Sequence, residues 1–120
     1  MKTKNCTIPQ SDIRFIHFTD VNCGMGLYQT GDLLFCSMCF VHPKDQYDRK
    51  VARVKLAGRL TSKVKNPSKD VEYTFCCLTY LPFKDMKREI HKHIAEWLYI
   101  DSDETFRVVQ KKIVDLCQVF

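Results

Sequence analysis

The sequence lacks the features that would place it in a membrane or mark it for export. Its longest strongly apolar stretches, Leu33 to Val41 and Phe75 to Leu81, are far shorter than the roughly 20 residues that a helix needs to cross a bilayer. Residues 1–10 contain no apolar run that could form the core of a signal peptide. We therefore expect a soluble protein of the cytoplasm that has no membrane as its partner.

The chain also lacks the sequence motifs of common enzyme classes. It has no Walker motif and no G-x-S-x-G, and the lone G-x-G at Gly24 to Gly26 has neither the third glycine nor the following helix of a dinucleotide site. No cysteine is predicted near a base at a helix N-terminus, where a reactive thiolate forms most readily. His91 and His93 lie two residues apart on a predicted helix, so their side chains point in directions about 200° apart. The two histidines therefore cannot bind one metal ion together. We expect no catalytic residue, no cofactor and no enzymatic activity.

Seven cysteines are many for 120 residues, and an odd number cannot all pair within one chain. Without an export signal, reduced thiols are the expected state. Cys36 and Cys39 have the C-x-x-C spacing of zinc sites, and His42 and the Cys76–Cys77 pair could lie beside them. In a strand, however, residues i and i+3 point to opposite faces, so the two thiols would reach one metal only if the strand broke between them. The pattern favours buried structural cysteines and no metal, but it leaves open whether Cys36 and Cys39 bind one.

Length and composition fit one domain that spans residues 1–120, since 45% of the residues are hydrophobic and supply material for one core. Apolar runs bounded by turn residues predict four strands: Ile13 to Phe18, a short one from Met25 to Gln29, Leu33 to Val41, and Val71 to Leu81. The last two are the most apolar. We expect these two strands to pair in one sheet.

Three helices are predicted in addition. The first begins at Asp45 or Asp48 and runs to about Leu60, and the others extend from Phe83 to Tyr99 and from Asp101 to Cys117. The expected fold class is α+β, a small antiparallel or mixed sheet with three helices, of which the two C-terminal helices pack on one face. Trp97 should be largely buried. Thr61 to Asp70 is predicted to be an exposed loop with three lysines.

The first predicted helix carries two apolar stripes. One contains Tyr47, Val51, Val54 and Gly58, and the other, almost opposite, contains Ala52, Leu56 and Leu60. One stripe should face the core. The other should be partly exposed beside Arg49 and Arg53, which would create an apolar and cationic surface suited to binding another molecule.

The positive charge of the chain is concentrated in one stretch of 21 residues, Arg49 to Lys69, which we call the basic segment. It holds eight of the 19 basic residues and no acid, so the rest of the chain has 11 basic residues against 14 acids. A helix that is merely exposed to solvent normally has acidic residues among its basic ones, because opposite charges four residues apart stabilise it. Their absence here favours an anionic partner for the basic segment. The side chains predicted to bind a partner are Arg49, Lys50, Arg53, Lys55, Arg59, Lys63, Lys65 and Lys69.

An acidic protein surface is the expected partner of the basic segment. Arg49, Arg53, Lys55 and Arg59 should dominate, because side chains on a packed helix lose less entropy on binding and arginine adds bidentate geometry. Direct, non-specific nucleic-acid binding is the alternative. It is disfavoured by the scarcity of aromatic residues for base stacking, since Tyr47 is the nearest candidate.

The run HPKDQYDRKVARVKLAGRL, from His42 to Leu60, resembles a run in small orphan accessory proteins of tailed bacteriophages. This resemblance implies an accessory protein in the host cytoplasm that binds a host protein and inhibits or redirects it. A defence factor or a nucleic-acid-handling factor would be such a host protein. The resemblance carries over no catalytic residues, and the oligomeric state and the identity of the partner stay open.

Overall fold

A computed structural model describes residues 7–42 and 44–78, together with Arg88, Glu104, Phe106, Arg107, Gln110 and Lys111. These residues form a four-stranded antiparallel sheet in the order β1-β2-β3-β4, with one α-helix between the last two strands of the chain. The elements are β1 (Arg14–Phe18), β2 (Cys23–Thr30), β3 (Leu33–Phe40), α1 (Arg49–Lys65) and β4 (Thr74–Leu78), and 3₁₀ turns span Gln10–Asp12 and Thr19–Val21. Within these ranges, no helix is both long and apolar enough to cross a membrane.

The first three strands follow one another through short turns. Thr30 pairs with Leu33, so Gly31 and Asp32 form a two-residue hairpin turn in which Gly31 has a φ of +60°. At the other edge β4 pairs with β3, with Phe75 opposite Cys36. The predicted pairing of these two apolar strands is therefore confirmed. β2 is longer than the predicted Met25 to Gln29 strand, because its two glycines lie within the strand rather than in a turn.

Both faces of the sheet are buried, and β3 shows the alternation most clearly. Cys36 and Met38 face one side, and Phe35, Ser37 and Cys39 face the other. On the first side, the ring of Phe106 lies 5.3 Å from that of Tyr73 and 6.1 Å from that of Phe75. The buried residues of that side are Ile16, Phe18, Cys23, Met25, Leu27, Leu34, Cys36, Met38 and Phe75.

The other side of the sheet is covered by α1. This helix begins after Asp48, whose Oδ1 accepts hydrogen bonds from the backbone N–H of Lys50 at 2.9 Å and of Val51 at 3.3 Å. The prediction that Asp45 or Asp48 caps the helix is confirmed for Asp48. The helix ends at Lys65, five residues beyond the predicted end at Leu60, directly before Asn66 and Pro67.

Two glycines of β2 let α1 lie close to the sheet. A Cβ on Gly26 would lie 3.3 Å from Leu56 Cβ and 3.1 Å from Leu60 Cδ1, and a Cβ on Gly24 would lie 3.4 Å from Leu56 Cδ1 and only 2.2 Å from Oη of Tyr47, which precedes the helix. Leu56 and Leu60 are fully buried in this contact. Ser37 of β3 adds a hydrogen bond from its Oγ to the carbonyl oxygen of Leu56 at 3.1 Å, which fixes the helix along the strand.

The predicted α+β class with three helices, two of them C-terminal and packed on one face, is wrong in its helical arrangement. In the described residues a single helix, α1, packs on the sheet, and the sheet is antiparallel. Apolar periodicity indicates that a helix forms, but it does not indicate which face of the sheet has room for that helix. Here the glycines of β2 leave room for α1. The predicted helices from Phe83 to Tyr99 and from Asp101 to Cys117, and the predicted burial of Trp97, lie outside the described residues apart from the six isolated positions.

The predicted loop from Thr61 to Asp70 is also corrected. Its first half is the last turn of α1, so Lys63 and Lys65 are helical residues, and the non-helical chain resumes at Asn66. From Thr61 to Asn66 the sequence has no proline or glycine that would end the helix earlier. The surface of α1 therefore carries more of the basic segment than the sequence indicated.

Candidate partner-binding surface

The outer face of α1 is apolar along its middle and cationic at its sides. Val51 and Val54 are 59% and 65% exposed, and they are the large hydrophobic residues that stand out as exposed in the described chain. Gly58 lies one further turn along the same side, and a Cβ added there would meet nothing within 4 Å. We call Val51, Val54 and Gly58 the outer stripe.

The structure decides between the two apolar stripes that the sequence predicted for this helix. Ala52, Leu56 and Leu60 are buried against the sheet, and Ala57 joins them. The stripe that contains Val51 and Val54 is therefore the exposed one. The apolar part of the predicted surface is therefore exposed. Of the two cations predicted beside it, Arg49 is exposed but Arg53 is partly buried, and both lie close enough to His17 to affect its pKa.

The eight predicted partner-binding residues divide into two groups by exposure. Arg49, Lys50, Lys55, Lys65 and Lys69 are exposed, whereas Arg53, Arg59 and Lys63 are partly buried. Lys50 and Lys55 flank the outer stripe on its two sides. Neither makes a side-chain hydrogen bond or ion pair within the part of the chain that the structure describes. These two lysines are the cations best placed to meet a molecule that lies on the stripe.

Arg59 is instead held inside the protein. Its guanidinium donates to the carbonyl oxygen of Met38 and to Glu72 Oε1, the latter at 3.1 Å, and it lies over the ring of Tyr73 at 5.3 Å. Its side chain is only 18% exposed. Sequence reasoning placed Arg59 among the dominant binding residues, but its position indicates that it ties α1 to β3 and to the turn before β4.

Lys63 is likewise engaged within the chain. Its Nζ donates to the carbonyl oxygen of Lys69 at 2.7 Å, which closes the turn after α1. Asn66 and Lys69 are linked by a further backbone hydrogen bond of 2.9 Å in the same turn. Lys63 and Lys69 therefore belong to the turn that follows α1, beyond Gly58 at the end of the outer stripe.

A groove adjoins the outer stripe at its N-terminal end. It lies between the end of β3 and the first turns of α1, has a volume of about 240 Å³, and is open to solvent. Its lining is mostly apolar, with three polar or charged side chains: Cys39, Val41, Val51 and Ala52, together with Gln46, Asp48 and Lys55. Val51 thus belongs to both the groove and the outer stripe, so one apolar surface runs from the helix into a concave pocket.

A polar cluster lies under the start of α1, where sequence reasoning named no site. His17 Nδ1 lies 2.7 Å from Tyr47 Oη, and their rings meet edge to face at 5.6 Å. Tyr47 also shares a hydrogen bond with the side chain of Cys39. His17 and Tyr47 are 30 residues apart in the chain, so no local pattern could have paired them. The only available signal was that His17 shares a strand face with Ile13 and Phe15.

Burial shifts the pKa values of all three side chains in this cluster. Burial, and then the positive charges of Arg53 and Arg49, lower the pKa of His17, so the imidazole is neutral. Burial raises the pKa of the Cys39 thiol, and burial together with the nearby cysteines raises the pKa of Tyr47. His17 Nε2 is buried and has no hydrogen-bond partner among the described residues. The raised pKa of Cys39 favours its protonated thiol, and the free imidazole nitrogen of His17 is enclosed by protein.

The two cysteines of the C-x-x-C motif lie on opposite faces of β3. Cys36 packs in the core beneath Phe106, and Cys39 packs against Ala52 and Leu56 under α1. The strand runs unbroken between them. In the described part of the chain, no group of three or more His, Cys, Asp or Glu side chains could hold a metal ion.

Comparison with known proteins adds no relative. No protein-family model, no curated protein and no solved structure matches this chain. The function proposed below is therefore drawn from the surface of α1 alone, and the phage resemblance of the run from His42 to Leu60 stays a prediction.

Proposed function

We propose that this chain is a non-enzymatic binding protein that docks on an acidic surface of another protein through the outer face of α1. The observation that carries this proposal is the pair of exposed valines, Val51 and Val54, on a helix within the basic segment, which holds eight basic residues and no acid between Arg49 and Lys69. Exposed apolar side chains ringed by one sign of charge are typical of protein interfaces. The cations would steer an acidic partner, and the valines would be buried on contact.

Two observations favour a protein partner over nucleic acid. The centre of the α1 surface is apolar, whereas a surface that tracks phosphates places its cations at the centre. Tyr47, the aromatic residue nearest to the basic segment along the sequence, is partly buried and hydrogen-bonded to His17, so its ring is held against the protein rather than presented to a base. Nucleic-acid binding remains the second candidate and is tested below.

The proposed compartment is the cytoplasm. Cys23, Cys36, Cys39 and Cys76 are free thiols, which is the usual state in a reducing compartment. The likeness to phage accessory proteins would make the partner a host protein that is inhibited or redirected. The docking proposal does not depend on that likeness.

Affinity capture from a nuclease-treated cell lysate, followed by titration of the purified captured protein, tests the proposal. The variant Lys50→Glu/Lys55→Glu reverses the two exposed cations beside the outer stripe. The matched control Arg88→Glu/Arg107→Glu reverses two exposed cations outside the basic segment, so both variants fall from a formal charge of +5 to +1. We expect the control to bind like the wild type and the α1 variant to bind about tenfold or more weakly.

Equal binding by all three proteins would show that the partner docks elsewhere, and the proposal would be wrong. Gel-shift titrations with duplex DNA and with RNA decide between the two candidates. Tight binding to arbitrary sequences that weakens steeply with salt, and that Lys50→Glu/Lys55→Glu removes, would establish nucleic acid as the ligand.

A further inference from the structure

We propose that the partner presents an acidic amphipathic helix, which packs lengthwise on α1 along the outer stripe and comes closest to it at Gly58. This inference rests on the proposed function, and it specifies the shape and the chemistry of what docks there. It draws on three features of α1: the spacing of the stripe, the position of its glycine, and the placing of the lysines.

The spacing of the outer stripe is that of a helix–helix contact. Val51, Val54 and Gly58 are separated by three and then four residues, which corresponds to positions a, d and a of a heptad. Residues at this spacing lie in one narrow line along a helix. The opposite line, which contains Leu56, is already buried on the sheet. Within the described residues, α1 therefore has a second seam that no other element covers, of the width that one further helix covers.

Gly58 has no role in the packing of the described chain. It lies inside a helix of 17 residues, where glycine lowers stability by about 1 kcal/mol relative to alanine. A Cβ at this position would meet nothing within 4 Å, in contrast to Gly24 and Gly26, where the sheet needs the missing side chain. The distance between packed helices depends on the side chains at their crossing point, so a glycine there lets two backbones approach closely.

The lysines define the chemistry of the docking helix. Lys50 and Lys55 occupy the positions that precede Val51 and follow Val54, which in a coiled coil carry the charges that select the partner. A docking helix with Glu or Asp at its own flanking positions would pair with both. A second copy of α1 would bring lysine against lysine, which disfavours self-association through this face. The groove beside Val51 gives one large apolar side chain of the docking helix a place to insert.

The test uses two synthetic helical peptides of three heptads, stapled on their outer face, with Leu at positions a and d. One carries Glu at positions e and g, and the other carries Lys there. Binding to the full chain is measured by fluorescence anisotropy and located by amide chemical-shift changes. We expect the Glu peptide to bind at least about tenfold more tightly than the Lys peptide, with the largest shifts at Val51, Val54 and Gly58.

Gly58→Ala provides the decisive variant, because the two roles of the position predict opposite effects. Without a partner the added methyl group raises helix propensity, so the unfolding midpoint should rise. At a closely packed crossing the same methyl group should weaken Glu-peptide binding by roughly tenfold. Ser62→Ala, at an exposed position beside the stripe, should raise the midpoint and leave binding unchanged.

The possible failures are distinguishable. Loss of peptide binding in Lys50→Glu/Lys55→Glu without any loss in Gly58→Ala would overturn the helix geometry and leave the proposed function standing. Binding that neither variant changes would overturn both. Tighter binding to duplex DNA, or to vesicles of anionic phospholipid, than to the Glu peptide would overturn the inference in favour of that ligand, and a dimer that Val54→Asp dissociates would identify a second copy as the occupant.

Discussion

A single methyl group added at Gly26 tests whether α1 sits on the sheet as closely as described. The Cβ of Gly26→Ala would lie 3.0 Å from Ser37 Oγ, 3.1 Å from Leu60 Cδ1 and 3.3 Å from Leu56 Cβ. Carbon atoms in ordinary contact are about 3.5–4.0 Å apart, so all three neighbours are too close. The Ser37 hydroxyl and the end of Leu60 can rotate, but Leu56 Cβ moves only with the helix backbone. The methyl group must therefore lift α1 or displace the strand.

The expected loss of stability follows from two opposing effects. Overfilling a packed core costs about 1–3 kcal/mol. Replacing glycine by alanine in a strand interior raises the free energy of unfolding by about 0.5–1 kcal/mol, because alanine has less backbone freedom to lose on folding. We therefore expect Gly26→Ala to lower the free energy of unfolding by about 1–2 kcal/mol. For 120 residues this corresponds to a fall of about 3–10 °C in the unfolding midpoint.

Gly58→Ala is the matched control, since it makes the same substitution where the new methyl group meets open space. It should raise the free energy of unfolding by up to about 1 kcal/mol. Urea unfolding followed by far-UV circular dichroism measures the stability of both variants. The slope of the free energy of unfolding against urea concentration should equal that of the wild type, which checks that each variant unfolds in the same transition. A Gly26→Ala protein as stable as the wild type would refute the close approach of α1 to β2.

Two further predictions concern the polar contacts of α1. Because burial and the guanidinium groups of Arg53 and Arg49 lower the pKa of His17 below its ordinary 6.5, the unfolded chain binds that proton more readily. The contribution of His17 to stability is therefore complete above about pH 6.5 and is lost as the pH falls below that value. Thermal melts should show a smaller loss of stability between about pH 7 and 5 in His17→Gln than in the wild type. Arg59→Met should lower the free energy of unfolding by about 1 kcal/mol, because the Met38 carbonyl oxygen loses its donor, whereas Lys55→Met should leave it unchanged in urea titrations.

The elements that local patterns define were predictable from the sequence. The run from Leu33 to Val41 is apolar throughout and bounded by turn residues, and it forms β3 in the centre of the sheet. The two stripes of α1 were visible as a period of three and four residues. The sequence did not predict which stripe is buried, because Val51 and Val54 are as apolar as Ala52 and Leu56. Only the fit of the helix to the sheet decides between them.

The contacts that depend on distant residues were not predictable. Gly24 and Gly26 resemble turn residues in the sequence, yet they lie within β2 because α1 occupies the space above them. Arg53 and Arg59 are both helical arginines beside apolar residues, and the hydrogen bonds of Arg59 to Met38 and Glu72 arise only when α1 lies against β3. The sequence therefore predicted which segment carries the candidate surface. Which of its cations are exposed and which are bound within the protein could be read only from the structure.

The order of the strands also bears on how the chain folds. β1, β2 and β3 pair with their neighbours in the sequence through short turns, so these contacts close small loops and form on the microsecond timescale of hairpins. β4 reaches β3 only after the chain has passed through the whole of α1, which makes this pairing the long-range step. The hydrogen bond from Ser37 to the Leu56 carbonyl joins the early hairpin to the helix at the point where β4 must later add. Docking of α1 on one face of the hairpin would thus bring the end of the helix, and the chain that follows it, near the free edge of β3 to which β4 adds.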